Sequence, residues 1–247
     1  MSRSNPTDNG TPNPAMRWFE WNGEHGVVRY YDKDAKQNVD VGSDFTFILL
    51  DELATVKGWH EASVSGIYAN EVRDTRQDVL IVKAFKGGVL AEGLYKDIKD
   101  RITSKAVGGQ FVTNCYIAFK ANGSLAIGSM QFKGAALGAW MEFRKAHRAE
   151  LLTKAVRIHG FTEGKKGRII FRVPVLSITD LTAESNVAAL ALDIELQTYL
   201  TAYLSRTKRD QVAVPTAPVA HEAAQNEPPP LSDVDMAGDA YDEEPPF

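Results

Sequence analysis

The chain of 247 residues is poor in cysteine and has no long apolar run. Cys115 is its one cysteine, which excludes an internal disulfide framework and suits a reducing compartment. No segment approaches the roughly 20 apolar residues that span a membrane. Residues 1–14 also lack the apolar stretch of a secretory signal. These absences predict a cytoplasmic protein without membrane spans.

Lysine and arginine are absent from residues 211–247, although this segment contains eight acids. The whole chain has 28 bases and 32 acids, so residues 1–210 keep 24 acids and a net charge of +4. Residues 80–172 have 17 bases against 6 acids. A basic middle joined to an acidic tail is typical of a protein that binds a polyanion, with a tail that mimics or competes with it.

The sequence also lacks the patterns of common catalytic and metal sites. Its five histidines are scattered without metal-ligand spacing, and no G-x-S-x-G occurs. The glycines and lysines from Gly160 to Lys166 are one residue short of a phosphate-binding loop and are followed by no Ser or Thr. Cys115 lies in a β-type run, where a buried thiol is expected. We therefore expect neither enzymatic activity nor a cofactor.

One acid-x-lysine pattern keeps an enzymatic alternative open. Glu163 and Lys165 have the E-x-K form of some metal-dependent nucleases, and Asp78 is an acid that such a site would add. A Gly-rich turn holds a rigid ligand pair poorly, which argues against this site. A metal-dependent, DNA-processing nuclease that uses these residues is nevertheless kept as the alternative function. A third alternative is a protein-binding scaffold whose acidic tail is its working end.

Strand patterns dominate the chain and predict a mainly β fold of the α+β class. Aromatic-rich strands are expected on either side of Asn22 and Gly23. The pair Asn122 and Gly123 predicts a two-residue hairpin turn between strands at 111–120 and 124–132. A further strand is expected around Pro174, at a sheet edge or a bulge.

Helices are expected at three places. The four-residue recurrence of Leu90, Leu94, Ile98 and Ile102 predicts a short amphipathic helix within residues 89–107. A second helix is expected within residues 135–155. A long C-terminal helix is expected to begin at the cap residue Thr182 and to end near Arg206. Its predicted apolar face consists of Val187, Leu190, Ala191, Ile194 and Leu200.

This order of elements predicts three regions of the chain. Residues 1–14 are expected to be disordered, as is a linker with an acidic tip over residues 207–247. Residues 15–206 are expected to form one domain. Strands, then a helix, then a closing hairpin fit a partly open barrel of the OB type with a long C-terminal helix.

Cations and aromatic rings alternate along the basic middle of the chain. Single-stranded nucleic acid requires cations for its phosphates and flat rings for its bases. Lys83 and Phe85 are expected on one face of a strand, with Lys86 on the other. Each ring has core packing as its alternative role, and each cation a solvated surface. The candidate nucleic-acid-binding residues are Lys83, Phe85, Lys86, Tyr95, Tyr116, Lys120, Phe132, Lys133, Lys165, Lys166, Arg168 and Arg172.

The last six residues, DEEPPF, resemble the acidic tip of bacterial single-stranded DNA-binding proteins. In that family, acids are followed by a hydrophobic residue, Pro and Phe; here Pro245 takes the hydrophobic position. The resemblance implies that a ring enters an apolar pocket on a partner protein while the acids meet Arg or Lys. The residues concerned are Asp242, Glu243, Glu244, Pro245, Pro246 and Phe247.

The body of the chain is similar to the replicative single-stranded DNA-binding proteins of tailed bacteriophages. The stretches that carry this resemblance are DFTFILLDELATVKGWHEAS and VLIVKAFKGGVLAEGLYKDIKDRI. The resemblance implies an OB fold, sequence-independent coating of single-stranded DNA during replication or recombination, and a place in the host bacterial cytoplasm. No individual binding residue follows from it.

Overall fold

Eleven strands and three α-helices make up the described part of the chain, residues 12–212 of a computed structural model. The strands are β1 (Arg17–Asn22), β2 (Val27–Asp32), β3 (Gln37–Gly42), β4 (Asp44–His60), β5 (Ser65–Ala69), β6 (Leu80–Ala84), β7 (Gly88–Gly93), β8 (Gly109–Ala121), β9 (Ser124–Lys133), β10 (Ala155–Lys166) and β11 (Ile169–Thr179). The helices are α1 (Tyr95–Ile102), α2 (Gly134–Ala146) and α3 (Ala183–Val212).

The strands form one mixed sheet in the order β3-β2-β1-β9-β8-β4-β5-β6-β7, with β10 and β11 attached at β4. β1 and β9 are parallel, and the other pairs are antiparallel. The sheet is not closed into a barrel. The prediction of a mainly β, α+β fold is therefore confirmed, whereas an OB barrel is not established by this topology.

The long strand β4 is the centre of the sheet. One edge pairs with β8 from Phe47 to Gly58. Its other edge changes partner along its length, pairing with β10 near Asp44 and with β5 near Trp59. The sheet therefore forks at β4 into two wings, one made of β10 and β11 and the other of β5, β6 and β7.

The turn between β8 and β9 confirms the predicted hairpin. Asn122 and Gly123 have φ angles of 50° and 89°, which is the conformation that a two-residue type I′ turn requires. Ladder pairs run from Ala121 opposite Ser124 to Val112 opposite Lys133. Asn tolerates a positive φ and Gly adopts it without strain, so this turn fixes the register of both strands.

Helices α2 and α3 cover opposite faces of the central strands. Successive residues of a strand point to opposite faces. Ile117 and Phe119 lie in one core cluster with Trp140 of α2. Tyr116 and Ala118, which alternate with them and point to the other face, lie in clusters with Leu196 and Ala189 of α3.

The helix predicted over residues 89–107 is shorter than expected. Leu90 lies on β7, and α1 begins only at Tyr95. Gly93 has a φ of 152°, a conformation that other residues rarely adopt, and it separates the strand from the helix. Ile98 and Ile102 do lie on the buried side of α1.

Helix α3 begins where its cap residue predicts but buries a different face. The backbone N–H of Ser185 donates to Thr182 Oγ1 at 3.1 Å, which confirms the cap. The helix continues past its predicted end near Arg206 to Val212. The buried residues are Ala189, Leu196, Tyr199 and Leu200.

The predicted apolar face of α3 is wrong for four of its five members. Val187, Leu190 and Ile194 are 67%, 57% and 71% exposed, and Ala191 is also exposed. Leu200 alone of the five is buried. Apolar residues occupy both sides of this helix, so their periodicity alone does not show which side is buried. The buried side is the one where Leu196, Tyr199 and Tyr203 pack on the sheet.

Candidate nucleic-acid interface

The wing of β5 and β6 exposes one face of the sheet. Helix α1 covers its other face, where Val56, Ile67 and Val82 are buried. The alternate residues therefore point away from α1, and cross-strand register brings them together: Trp59 lies opposite Gly66, and Tyr68 opposite Lys83. We call this set the open face. It consists of the half-buried residues Lys57, Trp59, Tyr68, Lys83 and Phe85.

Three aromatic rings of the open face have the chemistry of a base-stacking platform. Tyr68 and Phe85 stack on each other with ring centroids 4.6 Å apart and planes inclined by 30°. Trp59 lies opposite Gly66 in the ladder, one strand away from this pair. Such rings bind bases of any identity because every base has a π-face.

Lys57 links the rings to a buried polar network. Burial lowers the pKa of Lys57, and the nearby carboxylates of Glu71 and Glu20 oppose this shift. Burial raises the pKa of Glu71, whose carboxylate accepts a hydrogen bond from Tyr116 Oη at 2.7 Å. Its backbone N–H donates to Tyr203 Oη at 2.8 Å, so the C-terminal part of α3 is anchored beside the open face.

Glu20 holds two cations at the β1 side of this network. It accepts from Arg29 Nε at 2.6 Å and from Lys133 Nζ at 3.3 Å. Burial alone would raise the pKa of Glu20, but Lys133 and Arg29 outweigh it and leave that pKa below its ordinary value. Lys133, a candidate phosphate ligand, is therefore already ion-paired within the protein.

The charge on Glu20 is expected to stabilise the fold only above acid pH. We expect Glu20→Gln to lower the free energy of unfolding at pH 7 by about 2 kcal/mol, because two cations lose a charged acceptor. The folded pKa lies below the unfolded value near 4.5, so this contribution is present above that pH and is lost as pH falls through the folded pKa. Urea unfolding at pH 7 and toward pH 3 measures the difference.

Glu61→Gln is the matched control for Glu20, since Glu61 is exposed on the short turn after β4. It should change stability little at either pH. A loss for Glu20→Gln that is equally large at acid and neutral pH would contradict the assigned role of its charge.

The structure brings some of the predicted site residues together. Lys83 and Phe85 both adjoin Tyr68, which confirms that they share a face. Lys86 is exposed in the turn that follows, where its backbone N–H donates to Ser65 Oγ at 3.1 Å.

Three of the predicted stacking rings are core residues, and their assignment as base platforms is wrong for this fold. Phe132 is fully buried and stacks on Trp140 at 4.9 Å with planes 3° apart. Tyr116 is also fully buried, and burial raises the pKa of its hydroxyl. Tyr95 packs edge-on against Phe111 at 4.8 Å, and burial raises its pKa to about 12. A base requires an accessible ring face, which these residues do not offer.

The remaining predicted cations lie on other elements. Lys120 is exposed opposite Leu125, at the hairpin end of β8. Lys57 of the open face is paired with Gln110 at the other end of β8, so Lys120 lies away from the open face. Lys165 and Lys166 are exposed at the end of β10, and Arg168 is exposed in the turn that leads to β11. These three cations lie at the tip of the β10–β11 hairpin, whose register shifts between Ile158 and Phe161.

Arg172 holds that hairpin to the rest of the protein. Its guanidinium lies 5.2 Å from the ring centre of Phe161, pairs with Glu163 at 3.2 Å and donates to the carbonyl of Glu24. Its backbone N–H donates to the carbonyl of Gly23 at 2.7 Å. Arg172 therefore has a structural role in this conformation.

Sequence analysis missed three residues of the open face: Lys57, Trp59 and Tyr68. The signal was present in the alternation of Lys57 and Trp59 across Gly58, which places a cation and a ring on the same side of a strand. The glycine opposite Trp59 belongs to β5, and that pairing requires the three-dimensional register.

In the described residues, the two acids of the nuclease alternative lie on different elements. Glu163 lies on β10 in its pair with Arg172, whereas Asp78 lies in the loop before β6 and accepts from the Asp74 N–H. Among residues 12–212 no group of three or more His, Cys, Asp or Glu side chains is arranged to hold a metal ion. Within the same residues, no helix has the length and hydropathy of a membrane span.

Comparison with family models, curated proteins and solved structures finds no match to this chain. The fold and the site therefore define the protein only as a mixed α+β domain with an aromatic, lysine-flanked sheet face. The predicted partner-binding tip, Asp242–Phe247, lies outside the described residues, as do residues 1–11.

Proposed function

We propose that this protein binds single-stranded nucleic acid without sequence preference through its open face. The observation that carries the proposal is the grouping of Trp59 and the stacked Tyr68–Phe85 pair beside Lys57 and Lys83 on a sheet face that α1 does not cover. Stacking on exposed rings contributes about 1–3 kcal/mol per base.

The cations of the open face supply the attraction to phosphate. No ion pair with a described residue engages Lys83 or the neighbouring Lys86, so both charges are available to a phosphate backbone. Lys57 is half-buried and feels the charge of the Glu71 carboxylate, and a bound phosphate would stabilise its charged form.

The biological role that fits this site is coating and protection of single-stranded DNA in replication or recombination, in the manner of the phage proteins that the sequence resembles. The placement of α1 between the β5–β7 wing and the β8–β9 hairpin supports a relation to the OB fold, although the sheet is open. The acidic tip then recruits protein partners. Such a protein carries out no chemistry on the strand it binds.

Affinity for a fluorescein-labelled (dT) oligonucleotide tests the proposal. We expect binding that weakens steeply with added salt, since phosphate contacts release counterions. Lys83→Glu should weaken binding about tenfold and reduce the salt dependence, because it reverses a charge beside the rings. Lys145→Glu is the matched control, since Lys145 is exposed on α2, which packs on the other face of the sheet.

Competition with duplex DNA and RNA separates the possible ligands. Equal affinity for duplex and single strands, or equal effects of Lys83→Glu and Lys145→Glu, would contradict the open face as the site. Degradation of the labelled strand in magnesium or manganese would instead favour a nuclease.

A further inference from the structure

The outer face of α3 is apolar where a solvent-facing helix is normally charged. Val187, Leu190 and Ile194 are each more than half exposed, and Ala191 is exposed between them. We call these four residues the outer stripe. A surface helix usually carries charged and polar residues on the side that faces water. Large aliphatic side chains grouped on an exposed surface are typical of a site that contacts another protein.

The outer stripe is complementary to itself when two copies of α3 run antiparallel. Its members are separated by three, one and three residues, so the spacing is the same in both directions. In an antiparallel pair centred between Leu190 and Ala191, these two residues lie opposite each other, and a large side chain meets a small one. Val187 then lies opposite Ile194. Such a contact uses the same patch on both copies, as a two-fold dimer requires.

The charges of the same helix segment favour the antiparallel arrangement over a parallel one. Residues 183–198 contain three acids and no Lys or Arg, and the acids are Glu184, Asp193 and Glu195. In a parallel, in-register pair each acid would lie beside its own counterpart and repel it. In the antiparallel pair each of them lies opposite an uncharged residue: Gln197, Ala188 and Asn186, respectively.

A cation beside the outer stripe completes the match. A cleft of about 340 Å³ lies between the end of α2 and the start of α3, and its lining includes Asn186, Leu190, Arg148 and Leu152. The antiparallel pair places Glu195 of the second copy opposite Asn186 and therefore close to Arg148. Both charged residues are exposed, and neither forms an ion pair with a described residue. The two-fold symmetry forms this Arg148–Glu195 pair twice.

We propose that the protein forms a two-fold dimer in which α3 packs antiparallel on α3 of a second copy through the outer stripe. The contact spans residues 183–198, a length of about 24 Å along the helix. One helix pair of this length buries less than the roughly 800 Å² per partner of a standard interface, so the dimer dissociates in the micromolar range. The proposal does not depend on nucleic-acid binding, because the cleft contains residues 48–52 of β4 whereas the open face begins at Lys57.

Sedimentation of the full chain across about 1–200 µM measures the dimer, since weak interfaces dissociate in this range. The apparent mass should rise with concentration from the 27.2 kDa of one chain toward twice that value. Leu190→Asp should raise the dissociation constant at least about tenfold, because it buries a carboxylate in an apolar contact. A mass that stays at one chain throughout, or a dimer that Leu190→Asp leaves unchanged, would overturn the proposal.

Thr201→Asp is the matched control for Leu190→Asp. Thr201 is exposed on the same helix but lies beyond the contact, so its substitution should change the dissociation constant less than about twofold. Urea unfolding checks that both variants keep the stability of the wild-type chain.

Charge reversal tests the pairing of Arg148 with Glu195. Arg148→Glu and Glu195→Arg should each weaken the dimer about threefold or more, because each places like charges together. The double variant reverses both charges and should restore the association of the wild-type chain. A double variant that associates no better than the single variants would contradict the antiparallel register.

Cysteine cross-linking tests the direction of the paired helices, since a disulfide requires two Cα atoms within about 7 Å. Cys115 is buried and should not react. Ala191→Cys lies next to the two-fold axis and should cross-link to its own copy. Val187→Cys alone should not, whereas a mixture of Val187→Cys and Ile194→Cys proteins should. Efficient cross-linking of Val187→Cys to itself would indicate a parallel pair and would overturn the proposed arrangement.

Discussion

Trp59→Ala is expected to lower affinity for single-stranded oligonucleotides by about tenfold or more. Stacking of one base contributes about 1–3 kcal/mol, and 1.4 kcal/mol corresponds to a factor of ten. Trp59 is half-buried at the end of β4, opposite a glycine, so its removal should leave the fold intact. Fluorescence anisotropy with labelled (dT) strands measures the affinity, and urea unfolding checks the stability.

Two variants make the Trp59 result specific. Trp59→Phe keeps a ring and should retain most of the affinity. Trp18→Ala removes another half-buried tryptophan, one that packs against the α3 cluster with Lys33 over its ring at 5.1 Å. It should change affinity less than about threefold. Unchanged affinity for Trp59→Ala, or equal losses for both alanine variants, would contradict stacking at the open face.

Phe132→Ala is expected to have the largest effect on stability. The ring is fully buried and stacks on Trp140, so its loss opens a cavity between β9 and α2. Phe-to-Ala substitutions in cores lower the free energy of unfolding by about 3–5 kcal/mol. Urea or thermal unfolding of the full chain measures this loss.

Phe85→Ala is the matched control for Phe132. Phe85 is half-buried on the open face, so its loss should affect oligonucleotide binding more than stability. If Phe132→Ala kept wild-type stability but weakened oligonucleotide binding, the assignment of Phe132 to the core would be wrong, and Phe132 would belong to the interface.

The contrast between these two phenylalanines shows what sequence patterns can predict. Alternation predicted the strands, and the Asn122-Gly123 turn predicted the register of β8 and β9, because both depend on neighbours in sequence. Lys83 and Phe85 were assigned to one face for the same reason. Phe132 has an equivalent pattern of ring and adjacent lysine, yet α2 covers it.

Whether a strand face is covered depends on how the helices pack back onto the sheet. Trp140 lies eight residues after Phe132 and turns back onto it, which no strand pattern encodes. The buried face of α3 was also mispredicted, since its apolar residues lie on two sides and only contact with Tyr116 and Leu53 identifies the inner one. Exposure, more than secondary structure, therefore required the three-dimensional fold.

Under the proposed function, the anchoring of Tyr203 to Glu71 would limit the length of nucleic acid that one molecule can cover. Helix α3 occupies the sheet as far as this contact, and the open face beyond it spans the three adjacent strands β4, β5 and β6. Strands spaced about 4.8 Å apart give the open face a width of roughly 10 Å. Under the proposed function, its three rings would accommodate only a few nucleotides, so a long single strand would be covered by many copies side by side.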